Sequence, residues 1–121
     1  MSKLQAKAII ATCIDFRLQK EIDDWIAKNF EPETYDRVSI AGDVKDLNEI
    51  LDQVKLSYDL HHIKKVVLIN HEDCGVYGKD GTYQKHVRDL RNAESKIEHL
   101  YPDLKVEIYY LHLNGEFEKI Q

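Results

Sequence analysis

Cys13, His71 and Cys74 are the side chains of this sequence best suited to hold a metal ion. Two thiolates and one imidazole suit zinc in tetrahedral geometry. Three protein ligands leave a fourth position open, as a catalytic site requires. A structural site would close with a fourth Cys or His, and there is no third cysteine. Zinc with two thiolates and a neutral imidazole is formally neutral, so burying it costs less than burying a bare dication. The same thiolates weaken zinc as a Lewis acid, so its bound water should ionise less readily than in a three-histidine site. Asp15 and Arg17 follow Cys13 at alternate positions. Arg17 can grip a carboxylate with a two-pronged hydrogen bond and lower its pKa. A carboxylate held this way can take a proton from zinc-bound water and aim the resulting hydroxide. Alternatively, it can swing onto zinc and block the open position. Read without a metal, the cysteines are buried core thiols, and Asp15 with Arg17 is an exposed ion pair worth under about 1 kcal/mol.

These residues need elements that bring them together. Ala6 to Thr12 is a short apolar run and predicts a first strand buried on both faces. Leu18, Ile22, Trp25, Ile26 and Asn29 keep helical spacing and stop before Pro32. Arg37 to Ile40 predicts a second strand running into Ala41-Gly42. Leu47, Ile50, Leu51, Val54 and Tyr58 predict a second helix capped by Asp46. Val66 to Ile69 is the clearest buried strand, and His71 to Gly81 reads as a loop. Val87, Leu90, Ala93, Ile97 and Leu100 predict a third helix ending before Pro102. Val106 to Leu113 predicts a fourth strand. Asn114-Gly115 predicts a two-residue turn returning Phe117 to Ile120 as an antiparallel edge strand. The alternation predicts an α/β fold in one domain over residues 1–121, with a mainly parallel sheet of about four strands flanked by helices and a C-terminal edge hairpin. Ligands of such sheets bind beyond the carboxyl ends of the strands, at a switch in strand order. Cys13 ends the first strand, and His71 and Cys74 end the third. If those strands are neighbours, the three converge.

Cys13-Ile14-Asp15-Phe16-Arg17 followed by His71-Glu72-Asp73-Cys74-Gly75 resembles the signature of β-class carbonic anhydrases. Ala41-Gly42 looks like the end of that family's Arg-Asn-Ala-Gly motif. The resemblance runs from the first strand through the terminal hairpin. It implies that Cys13, His71 and Cys74 bind Zn2+ and that Asp15 and Arg17 form a catalytic dyad. The implied activity is reversible hydration of carbon dioxide to bicarbonate, with zinc-bound hydroxide oriented by Asp15. It also implies a homodimer, or higher homo-oligomer, with the pocket near the interface. Ser39 and Ile40 replace the family's usual Arg and Asn, and Phe16 replaces a small residue. Nothing before Ala6 reads as the helical arm that family members wrap around a partner, so a dimer would use a smaller or different surface. These departures keep two other readings open. One is a non-catalytic zinc-binding module on the same scaffold. The other is a zinc hydrolase of another heterocumulene, such as carbon disulfide or carbonyl sulfide, with Phe16 and Ile40 narrowing or lining an apolar site.

Composition narrows the field further. The 121 residues carry 17 basic and 22 acidic side chains, a net charge of −5, which disfavours nucleic acid and anionic membrane as partners. No run approaches the roughly 18 apolar residues of a membrane span. Met1 to Ala11, interrupted by Lys7, lacks the apolar centre of a signal peptide, so the expected compartment is the cytoplasm. Gly75, Gly78 and Gly81 lack the spacing and Lys-Ser/Thr ending of a phosphate loop. Glu72 and Asp73 read as loop solvation or backbone capping, with a proton-shuttle role as the sharper alternative. Tyr77 and Val76 either edge the pocket mouth or simply pack. His61, His62, His86, His99 and His112 read as surface or packed histidines.

Overall fold

Apolar runs alternating with amphipathic segments have a simple solution, a sheet sandwiched between helices. The computed structural model, which describes residues 4–121, takes that form. Met1–Lys3, the start of the stretch read against a signal peptide, lie outside the described residues. The order is β1 (Ala8–Thr12), α1 (Gln19–Asn29), β2 (Tyr35–Ser39), α2 (Leu47–His61), β3 (Lys65–His71), α3 (Tyr83–Leu100), β4 (Lys105–Leu111) and β5 (Phe117–Ile120). The lateral order is β2-β1-β3-β4-β5. The first four strands are parallel, and β5 returns antiparallel to β4. After β1 the chain moves out to β2, then crosses back to β3 on the other side of β1. The β1–β3 junction is therefore the switch point at which a ligand crevice is expected.

The central strands are buried on both faces, which explains why they read as continuous apolar runs. Ile10, Val67, Ile69 and Leu111 pack against Leu18, Ile22 and Ile26 on the α1 side. Ile9, Ala11, Val66, Leu68 and Ile108 pack against Ile50 and Val54 of α2 and Leu90, Ala93 and Ile97 of α3. Asp46 caps α2, accepting from the Glu49 N–H at 3.4 Å.

Several boundaries differ from the sequence expectation. β1 begins at Ala8, β2 spans Tyr35–Ser39, β3 extends over Lys65–His71 so that His71 ends a strand rather than opening the loop, and β4 spans Lys105–Leu111. α3 begins at Tyr83, because Thr82 caps it by accepting from the Lys85 N–H at 3.1 Å, a full turn before the first apolar position. The hairpin loop has three residues. His112 N–H bonds the Glu116 carbonyl, Gly115 N–H bonds the His112 carbonyl, and Gly115 takes φ +94°. That is a turn followed by a left-handed glycine, the standard three-residue closure. Asn114-Gly115 marked the place of the turn, while hydrogen-bond register set its length.

Candidate metal centre

Thr12 of β1 lies opposite Ile69 of β3, so the residues that leave the two strands emerge side by side. Cys13 Sγ, Cys74 Sγ and a ring nitrogen of His71 lie within 4.8 Å of one another, and all three residues are buried. The two sulfurs are 4.0 Å apart and unbonded. Two thiolates 2.3 Å from one ion at the tetrahedral angle would lie about 3.8 Å apart, so the spacing fits zinc. His71 Nδ1 bonds the Glu72 carbonyl at 2.7 Å. This leaves Nε2 buried without a hydrogen-bond partner, as a metal-facing nitrogen should be.

The thiol environments differ. Burial raises the Cys13 thiol, but contact with His71 and the backbone of Gly42 and Asp15 outweighs it, and the pKa falls to about 7. Gly42 N–H points at Cys13 Sγ at 3.3 Å. Gly42 has φ +82°, and a Cβ there would sit 3.0 Å from Val76 Cγ1, so the close approach requires glycine. Burial pushes the Cys74 thiol up. Burial also disfavours protonated His71, yet Cys13, the Glu72 carbonyl and Asp15 together raise it.

Asp15 and Arg17 form the expected pair. Arg17 Nε donates to both Asp15 oxygens at 3.1 and 3.2 Å, and Nη2 donates to Oδ2 at 2.7 Å. Hydrogen bonding to the guanidinium holds the carboxyl at about pKa 2. Asp15 Oδ2 lies 3.8 Å from His71 Nε2, so the carboxylate faces the same point as the ligand atoms. Arg17 also reaches across to the second motif, donating to Asp73 Oδ2 at 3.1 Å and to the Asp73 carbonyl at 2.9 Å. Gln19 Nε2 pins the Asp15 carbonyl at 2.8 Å.

The departures take clear positions. Phe16 is 87% exposed, so within one chain it neither narrows nor lines the site. Ile40 packs against the α2–α3 core, and Ser39 Oγ pairs with Thr12 Oγ1 at 3.1 Å. Glu72 caps the hairpin, accepting from Leu113 N–H at 2.9 Å. Asp73 is bound by Arg17, a role its position beside His71 did not reveal. Sequence reasoning missed Asp43. It is fully buried with φ +50°, and burial and then the Cys13 charge push its pKa well up. A single aspartate after Ala41-Gly42 carries no such signal.

Solved carbonic anhydrases share this arrangement of elements. The carbonic anhydrase from Glaciozyma antarctica superimposes with a TM-score of 0.74 at 17% identity, over 99% of this chain and 85% of that one. The beta-carbonic anhydrase isoform I of Trichomonas vaginalis gives 0.69 at 17%, over 99% and 87%. At that identity the likeness is one of fold. An uncharacterized protein of Rickettsia bellii is 28% identical over 135 residues, spanning 96% of this chain and 82% of its own. The chain belongs to the putative carbonic anhydrase family, whose model matches residues 3–121.

Proposed function

We propose that this protein is a zinc-dependent carbonic anhydrase that interconverts carbon dioxide and bicarbonate. The observation that carries the reading is the convergence of Cys13, His71 and Cys74 within 4.8 Å, with the Asp15 carboxylate facing the same point. Those three residues would hold the ion, which would supply the Lewis acidity that makes water a nucleophile. Asp15 remains ionised, accepts a hydrogen bond from the reacting water and orients it. Arg17 keeps Asp15 charged and fixes its rotamer. The Glu72 carbonyl holds the His71 tautomer that leaves Nε2 for the metal. The remaining parts of the reading are a cytoplasmic homodimer or higher homo-oligomer and the single domain. Ile14 and Phe16 give the rim of the site an exposed apolar surface for a second copy.

The test is stopped-flow carbon dioxide hydration at mildly alkaline pH, on protein with one zinc per chain. Turnover should exceed buffer and disappear on chelation. Asp15→Asn should keep its zinc and lose about 100-fold in kcat/KM, the scale of a positioned proton acceptor. Full zinc without turnover would instead support the non-catalytic zinc module. That second reading rests on Ser39 and Ile40, which bring no polar group to the pocket.

A further inference from the structure

Tyr77, three residues after Cys74, is the other member of the buried cluster formed by the two cysteines. It is restrained on several sides. Its hydroxyl donates to Asp89 Oδ2 at 2.9 Å and accepts from Asn70 Nδ2 at 3.1 Å. Lys45 Nζ lies 5.1 Å from the ring centroid, within cation–π range. Gly81 packs so closely that a Cβ there would lie 2.7 Å from Tyr77 Cβ. The anchors are themselves fixed. Asn70 Nδ2 also meets His86 Nδ1 at 2.9 Å, and Lys85 Nζ reaches Asp89 Oδ1 at 3.0 Å. Tyr77 also touches the metal loop through its backbone, for its N–H bonds the Cys74 carbonyl at 3.2 Å. Asn70 directly precedes His71 on β3. One residue is thus tied through its backbone to the loop of Cys74 and through its hydroxyl to the strand of His71.

We propose that Tyr77, anchored by Asn70 and Asp89, is a positioning residue that sets the distance between Cys74 and His71 and so tunes the affinity and geometry of the metal site. The proposal rests on the metal reading above. The network lies outside the donor set, and its job is rigidity. Without the hydroxyl tether the loop carrying Cys74 samples more positions, and each metal-binding event must order it again. Loss of a group that orients a ligand typically costs 10–100-fold in affinity.

The experiment compares wild type with Tyr77→Phe, which keeps the ring and removes the tether. Zinc affinity is measured by competition with a chromophoric chelator. The visible spectrum is recorded after cobalt substitution, and unfolding is measured on metal-free protein. The expected result is zinc binding about tenfold weaker and a shifted thiolate-to-cobalt band, beyond the modest loss of metal-free stability that removing a buried, hydrogen-bonded hydroxyl brings. Asp89→Ala, at the half-exposed end of the tether, should move the same two readouts in the same direction. Unchanged affinity and cobalt spectrum in both variants would overturn the proposal. So would a loss of affinity fully matched by a loss of metal-free stability. A wild-type chain that binds no zinc would instead overturn the metal reading itself, which keeps the two failures apart.

Discussion

Arg17 spends its planar fork on both halves of the motif, gripping Asp15 with two nitrogens and Asp73 through its carboxylate and carbonyl. A lysine could keep the charge but cannot make that fork. Arg17→Lys is therefore expected to keep its zinc and lose about tenfold or more in kcat/KM, as checked by stopped flow beside metal analysis. Asp73→Asn should cost less than tenfold, because the Asp15 pair survives and Asp73 is an exposed partner worth under about 1 kcal/mol. The sign of the acid response follows from the same pair. The folded pKa of Asp15, about 2, lies below the ordinary carboxylate value. Its contribution to stability is present above the unfolded pKa and is lost as pH falls toward 2. Asp15 stays ionised at neutral pH, so a rise of activity through that range would not come from this carboxylate.

α3 brings its own chemistry to the site by burying His86 between Asn70 and Tyr77. Burial, then the nearby His71 charge, lowers the His86 pKa to about 4. Between that value and the unfolded value near 6.5, the unfolded chain binds more protons than the folded one, so stability rises with pH across this window. Urea unfolding of metal-free protein should show wild type losing stability from pH 6.5 down to 4, by up to about 3 kcal/mol for this group. His86→Gln should flatten that dependence. A wild-type slope identical to that of the variant would remove His86 as its source. The turn before α3 is equally constrained. Gly81→Ala would drive a methyl into Tyr77, and thermal unfolding should show a cost of about 1–3 kcal/mol.

At the scale of the molecule, both faces of the sheet must be covered at once, and doing so brings the β1 and β3 ends together. The site is thus a by-product of core formation, and metal binding should feed back on the core. Zinc at 100 times its Kd should raise the unfolding free energy by about 2.7 kcal/mol, and calorimetry with and without chelator measures it. An unfolding temperature indifferent to zinc would count against a native metal centre. Phe16, 87% exposed beside the site, belongs to the same scale. Phe16→Ser should weaken self-association in sedimentation experiments while leaving the monomer folded, since the residue supports nothing in its own core.

The candidate residues were legible in the sequence, because Cys13, Asp15 and Arg17 are fixed by local spacing, as are His71 and Cys74, and the structure brings the two cysteines and His71 within 4.8 Å of one another. So was the order of strands and helices, because apolar runs and helical stripes are local patterns that survive in a linear string. The ends of those elements were less legible, since a polar Thr82 cap and a left-handed Gly115 leave no apolar period to read. Tertiary structure alone decided that β1 and β3 are neighbours, that Arg17 reaches Asp73, and that Asp43 and His86 are buried. It also turned Phe16 to water and set Ile40, partly buried, against the core. The physical reason is that local spacing constrains only residues a few positions apart. Which distant side chains meet depends on strand order and register, and these are set by sealing two apolar layers against one sheet.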